Sequence, residues 1–231
     1  MKAPSRRVLV TGSNRGIGLE FVRQYLASGD EVIATCRDPA RADELRALDG
    51  DLRVAKLDIS SEVDLDTLTS ELEDLAIDLL ICNGAVFGGS RSRFESLDSD
   101  AWRAALEVNL LGTIRAAMRL SKNVAESDER KIVFLSSRAG LPREARPHMS
   151  YIYASSKAAL NAAVRCLALD LRERGVLVAL LNPGHVKTGI GGLGAPMQTN
   201  ESVSMMRDVI ANLAIERTGR FWHFDGTELP L

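Results

Sequence analysis

Short aliphatic runs alternate with helical stretches along the whole chain, and that alternation limits the available folds more than any other feature. Residues 6–11, 31–36, 52–57, 78–82, 131–135, 176–181 and 220–224 read as strands, each short and rich in β-branched or aliphatic side chains. Between them the apolar spacing turns helical. From Gly16 onward, Ile17, Phe21, Tyr25 and Leu26 share one face, and Gly29 supplies a stop. Further helices are expected over 39–48, 62–75, 98–125, from Tyr153 to about residue 174, and over 201–216. The fourth strand is apolar after Asp78, as expected where both faces of a sheet are covered.

Strictly alternating strands and helices build a parallel sheet with right-handed crossovers. The expected fold is therefore α/β: one doubly wound, Rossmann-type domain over residues 1–231, with a seven-stranded parallel sheet and helices on both faces. Ligands are expected at the carboxyl ends of its strands.

Composition narrows the function classes. Apolar residues make up 45% and charged residues 26%, and the net charge of −2 gives no reason to expect nucleic acid as a partner. The basic opening, Lys2 to Arg7, is followed only by Val8-Leu9-Val10 before Thr11-Gly12, too short for a signal-peptide core. No apolar run is long enough to cross a membrane. Cys36, Cys82 and Cys166 lack metal-ligand spacing and sit in contexts that suit buried free thiols, so a reducing cytoplasm is the simplest setting. His148, His185 and His223 are scattered without ligand spacing and read as non-catalytic, and no metal is called for.

Gly12, Gly16 and Gly18 fall between the first strand and the first helix. In that context a turn free of side chains lets backbone amides and a helix N-terminus meet a pyrophosphate. The end of the second strand bears on the choice of dinucleotide. Arg37 falls where the 2′-phosphate of NADP would lie, and Arg15 sits inside the glycine turn. Two arginines can clamp a phosphate dianion by charge-assisted hydrogen bonds. Asp38 carries the competing reading, because turned inward it would bind the free ribose hydroxyls of NAD. NADP(H) is favoured over NAD(H).

The second half carries Tyr153 and Lys157 one helical turn apart, on one face. A free tyrosine is a poor base at neutral pH, and an ammonium held close lowers its pKa. Ser137 is expected to hydrogen-bond a substrate oxygen on which negative charge grows as hydride arrives.

With these motifs in order, nearly the whole chain resembles the short-chain dehydrogenase/reductase family. Thr11-Gly12-x-x-x-Gly16-x-Gly18, with Asn14, Arg15 and Ile17 inside it, matches the cofactor turn, and Leu57-Asp58-Ile59 the segment contacting adenine. Asn109, Ser137, Tyr153 and Lys157 match the catalytic tetrad, and the segment from Asn182 through Pro183, Gly184 and Val186 to Thr188 matches the one packing on nicotinamide. The resemblance implies hydride transfer between nicotinamide C4 and a carbonyl or alcohol, with Tyr153 as general acid in reduction. It also implies Lys157 on the nicotinamide ribose, Ser137 on the carbonyl oxygen, and Asn109 anchoring a water that links Lys157 to solvent. Val186 and Thr188 would fix the carboxamide end of the ring. The opening Thr-Gly-Ser-Asn-Arg-Gly-Ile-Gly-Leu-Glu and the ending from Gly219 to Gly226 resemble the sniffer-like carbonyl reductases.

Two departures stand out. Cys82-Asn83-Gly84-Ala85 replaces the usual Asn-Asn-Ala-Gly, which removes a polar contact but leaves the backbone contacts to the adenosine ribose possible. The stretch 141–150, between Ser137 and Tyr153, is longer than is common in the family and should border the substrate mouth. Across that mouth, the glycine-rich loop at about 189–200 is expected to act as a mobile lid, with Leu193, Met197 and Leu141 offering apolar contact. The partner is then a small carbonyl or alcohol, and Ala104, Leu111, Ala116, Leu160, Ala163 and Leu167 suggest a homodimer or homotetramer paired through the long helices. Two other functions remain open: a regulator that binds NADP(H) with little turnover, and an NAD-dependent alcohol dehydrogenase of the same family.

Overall fold

The computed structural model describes residues 6–89, 97–147 and 149–231, so Lys2 and His148 lie outside the described residues. Strands β1 (Arg7–Val10), β2 (Glu31–Cys36), β3 (Leu52–Lys56), β4 (Leu79–Cys82), β5 (Lys131–Leu135), β6 (Leu177–Asn182) and β7 (Phe221–His223) form where the aliphatic runs lie. Their spatial order is β3-β2-β1-β4-β5-β6-β7, all parallel. The expected count of seven strands is corrected by one: β8 (Glu228–Leu229) turns back antiparallel on β7, pairing Phe221 with Leu229. It is too short to leave a periodic signal.

Because strand side chains alternate between faces, neighbouring residues feed two separate cores. Leu9, Ile33, Leu80, Phe134 and Leu180 meet α3 (Glu62–Glu71), α5 (Thr113–Ala125) and α6 (Tyr151–Arg172) through Leu65, Leu120 and Val164. Val8, Val10, Val32, Ile81 and Leu135 meet α1 (Gly16–Ala27) and α7 (Thr199–Ala211) through Phe21, Tyr25, Val203 and Met206. Each fully buried aliphatic side chain contributes roughly 1.5–3 kcal/mol. The two layers thus hold the sheet rigid beneath its carboxyl edge.

Several expectations change in detail. The helix expected over 39–48 is a 3-10 turn, Pro39–Arg41, followed by the single turn α2 (Asp43–Arg46). The long helix over 98–125 is three pieces: α4 (Ser99–Leu106), a π-helical segment Glu107–Gly112, and α5. The π segment accommodates Gly112, where a Cβ would come within 2.2 Å of the Ile59 carbonyl oxygen. Cys36 and Cys82 are buried, but Cys166 is exposed on α6, which corrects the reading of all three thiols as buried. Ala116 and Leu160 pack into the core, whereas Leu111 is exposed as expected, and Met118 and Leu169 are exposed beside the anticipated positions. Among the described residues, no helix is long and apolar enough to cross a membrane.

The strand order reverses between β1 and β4. Crossovers leave that point in opposite directions, and a crevice opens at the carboxyl ends. Gly12 and Asn83 stand on its two sides.

Candidate active site

A continuous cleft of about 1740 Å³ runs along the carboxyl edge of the sheet, from Arg37 and Arg41 past the glycine turn to Tyr153 and Phe224. It exceeds the 300–1,000 Å³ typical of a small-ligand pocket and has room for a long ligand with a second molecule beside it.

The turn after β1 is built for close approach. Gly12 and Gly16 have φ of 62° and 59°, and a Cβ on Gly12 would lie 2.7 Å from the Gly84 Cα. Asn83 locks the turn from across the crevice, its Nδ2 donating to the carbonyls of Thr11 (3.1 Å) and Gly12 (2.9 Å). The next helix, α1, has Arg15 at its N-cap position, with no side-chain cap and no acidic residue in its first turn. Its leading N–H groups are therefore left for a ligand, and a helix N-terminus favours an anion. At the far end Arg15, Arg37 and Arg41 line the cleft. Asp38 lines the cleft as well, and its carboxylate accepts from the Ala40 amide at 3.1 Å, capping the 3-10 turn. These features fit a dinucleotide.

Ser137, Tyr153 and Lys157 meet at the other end. Ser150 caps α6 by accepting from the Tyr153 amide at 3.2 Å, which fixes the tyrosine in the helix's first turn. Its ring packs on Phe87, with centroids 5.3 Å apart. Desolvation there raises the phenol from 10.0 to about 12, while a hydrogen bond with Ser137 pulls it back down. Lys157 is buried, its Nζ donating to the Leu135 carbonyl at 2.8 Å and lying 5.8 Å from the tyrosine ring centroid. Burial lowers its pKa from 10.5 to about 8. Burial sets the direction of both shifts, and the lysine is not among the causes acting on the tyrosine.

Of the residues singled out in the sequence, Gly12, Asn14, Arg15, Gly16, Ile17, Arg37, Asp58, Ile59, Asn83, Gly84 and Ala85 line the cleft. So do Ser137, Tyr153, Lys157, Pro183, Gly184, Val186 and Thr188. Two do not. Gly18 lies beneath the turn, where a Cβ would meet Asn83 Nδ2 at 2.5 Å. Asn109 is buried in the π segment, where its side chain exchanges two 2.8 Å hydrogen bonds with the backbone of Val86 and donates to Ser156 Oγ at 3.0 Å. Cys82 takes the place of the usual asparagine as a core side chain whose thiol burial shifts strongly upward.

The presumed lid is tied down at both ends. Val186 and Met197 form a bridge, Lys187 N donates to the Met197 carbonyl at 2.9 Å, and Gly192 N donates to the Thr188 carbonyl at 2.8 Å. Met197 lines the cleft as expected, but Leu193 is 92% exposed and Leu141 is buried in the core, so neither borders it. Sequence reading passed over Arg41, Phe87 and Arg138, which line the cleft, and His185 and His223, read as non-catalytic, line it too. Arg41 had a usable signal, its position four residues after Arg37 in the same connection. His223 had none, because its place depends on Asn182, whose Nδ2 meets His223 Nδ1 at 2.7 Å.

Residues 6–196 match the profile of the short chain dehydrogenase family. The chain is similar to the NADPH-bound carbonyl reductase from chicken fatty liver, at 28% identity and a TM-score of 0.89, over 98% of this chain and 99% of that one. It is also similar to the carbonyl reductase Sniffer of D. melanogaster, at 27% identity and 0.89, over 98% and 100%. A short chain dehydrogenase from Penicillium aethiopicum is 30% identical over 248 residues, 96% of this chain and 98% of its own length.

Proposed function

The chain belongs to the short-chain dehydrogenase family, and from that premise we propose that it is an NADP(H)-dependent reductase of aldehydes or ketones with Tyr153 as general acid. One observation carries the reading: Ser137, Tyr153 and Lys157 converge at one end of a cleft whose other end is lined by arginines. The similarity to an NADPH-bound carbonyl reductase supports it.

Arg15, Arg37 and Arg41 would hold the 2′-phosphate, and the uncapped start of α1 the pyrophosphate. Asp58 and Ile59 would meet the adenine, Asn83, Gly84 and Ala85 its ribose, Tyr153 and Lys157 the nicotinamide ribose. Pro183, Gly184, Val186 and Thr188 would bracket the carboxamide end. When bound, NADPH supplies the hydride, and with it both electrons, for reducing a carbonyl carbon to an alcohol carbon. Ser137 donates a hydrogen bond to the carbonyl oxygen as its charge develops. Tyr153 gives that oxygen a proton, and a phenol pushed up to about 12 is held in the acid form this needs. Lys157, brought down to about 8, is a ready donor to reload the phenolate. Because the Asn109 side chain is already committed, its main-chain carbonyl would hold the water that reconnects Lys157 to solvent.

In this reading the protein acts in the cytoplasm, and Leu111, Met118 and Leu169 form part of a face that pairs copies into a homodimer or homotetramer. The test follows NADPH and NADH consumption over a panel of uncharged aldehydes, ketones and quinones, with the wild type and Arg37→Ala. Wild type should use NADPH faster, and the substitution should raise the KM for NADPH by roughly tenfold or more while changing NADH little. Equal weakening of both cofactors would sink the assignment of Arg37. Tight cofactor binding without turnover on any compound would favour a cofactor-sensing role instead.

A further inference from the structure

The 3-10 turns Arg138–Gly140 and Pro142–Glu144 carry an ion pair that the chemistry above does not use. Arg138 directly follows Ser137, and its amide donates to Asn182 Oδ1 at 3.3 Å, which fixes it beside the nicotinamide-packing segment. From there its Nη2 reaches both oxygens of Glu144, each at 2.9 Å. Nε and Nη1 have no hydrogen-bond partner among the described residues, so the guanidinium keeps unspent donors. Arg138 and Glu144 both line the cleft, and Arg138 is about half exposed there.

The surroundings are one-sided. Arg146 and Lys187 also line the cleft, and Arg143 and Arg146 lie close enough to Glu144 for their charges to act on it. Glu144 is held below the ordinary carboxylate range, first by its hydrogen bond from Arg138 and further by the charges of Arg138, Arg143 and Arg146. This excess of positive charge stands on a chain whose net charge is −2. Clefts lined by one sign of charge concentrate ligands of the other. Met149 and Met197 give the cleft apolar lining.

Resting on the carbonyl-reductase reading, we infer that the substrate carries a carboxylate beside an apolar body, and that Arg138, backed by Arg146 and Lys187, binds it. Glu144 is the internal rival: a carboxylate already seated on the same guanidinium shows the geometry a substrate carboxylate would copy. It also neutralises one positive charge, so it tempers the preference for anions. Arg138 is then a specificity-determining residue, set one position beyond the serine that receives the carbonyl.

The test uses matched pairs with the same reacting carbonyl: 4-carboxybenzaldehyde and its methyl ester, and phenylglyoxylate and its methyl ester. The readout is the ratio of kcat/KM for acid over ester, which general damage to the fold leaves untouched. Wild type should favour the acid of at least one pair, and added salt should weaken that preference. Arg138→Met should lower the ratio roughly ten- to a hundredfold, as expected for losing a hydrogen-bonded charge partner. Glu144→Gln should raise it. If the ion pair only ties the two turns together, both variants will affect acid and ester alike, and the inference falls. It falls equally if wild type prefers the ester in both pairs. If no compound is turned over, the reductase reading fails separately, and titrating benzoate into the NADPH-loaded protein decides the anion site. Binding abolished by Arg138→Met supports it, and absence of binding overturns it.

Discussion

At the scale of single residues, the site works by removing water from groups that would otherwise titrate elsewhere. Lys157 has an ordinary pKa of 10.5 and about 8 in the folded chain, so between those values the unfolded chain binds more protons. Stability contributed by this lysine is complete above 10.5 and is lost as pH falls through 8. Urea unfolding of wild type and Lys157→Met across that window should therefore show wild type gaining on the variant as pH rises, by roughly 3 kcal/mol in all. A flat difference would mean that the buried ammonium is well accommodated and that burial does not set its pKa. Tyr153 moves the opposite way, and its contribution, complete below 10, is lost as pH rises through about 12. Both residues were legible in the sequence by spacing. The direction of their shifts was not, since it comes from burial that only the folded chain creates.

At the scale of elements, the turn between β1 and α1 shows why its glycines are not interchangeable. Gly12 and Gly16 share a left-handed conformation, which costs other residues about 1–2 kcal/mol. Only at Gly12 would a Cβ also strike backbone; at Gly16 it would lie an ordinary 3.6 Å from Thr188 Cγ2. Gly12→Ala should therefore lower the unfolding free energy more than Gly16→Ala in denaturant titrations, by at least about 1 kcal/mol beyond the shared strain. Equal losses would show that Gly84 moves aside freely. The turn itself was readable because glycines between a strand and a helix have few other uses. The π segment was not, because one extra residue in a helical turn leaves the apolar pattern nearly unchanged. Yet that segment buries Asn109 against Val86 and Ser156, and Ser156 Oγ donates in turn to the Tyr153 carbonyl at 2.8 Å. An element boundary missed in the sequence thus couples two members of the candidate tetrad.

At the scale of the whole molecule, topology brings together residues that the sequence keeps far apart. The parallel order places the ends of β1, β4, β5 and β6 on one edge, so Gly12, Asn83, Ser137 and Pro183 border one cleft. That much follows from alternation alone, which is why the fold and most of the cleft could be anticipated. The antiparallel β8, the pinned loop after Thr188 and the contact of Asn182 with His223 could not, since each rests on a tertiary pairing with little local signature. The central proposal is proton transfer from Tyr153 to a carbonyl in an NADPH-loaded cleft. The most direct test is Tyr153→Phe, with NADPH affinity and carbonyl-dependent NADPH oxidation measured on the same preparation. Affinity should change little while turnover falls by about 10²–10⁴-fold. Turnover within a few-fold of wild type, with NADPH still bound, would show that the proton comes from elsewhere.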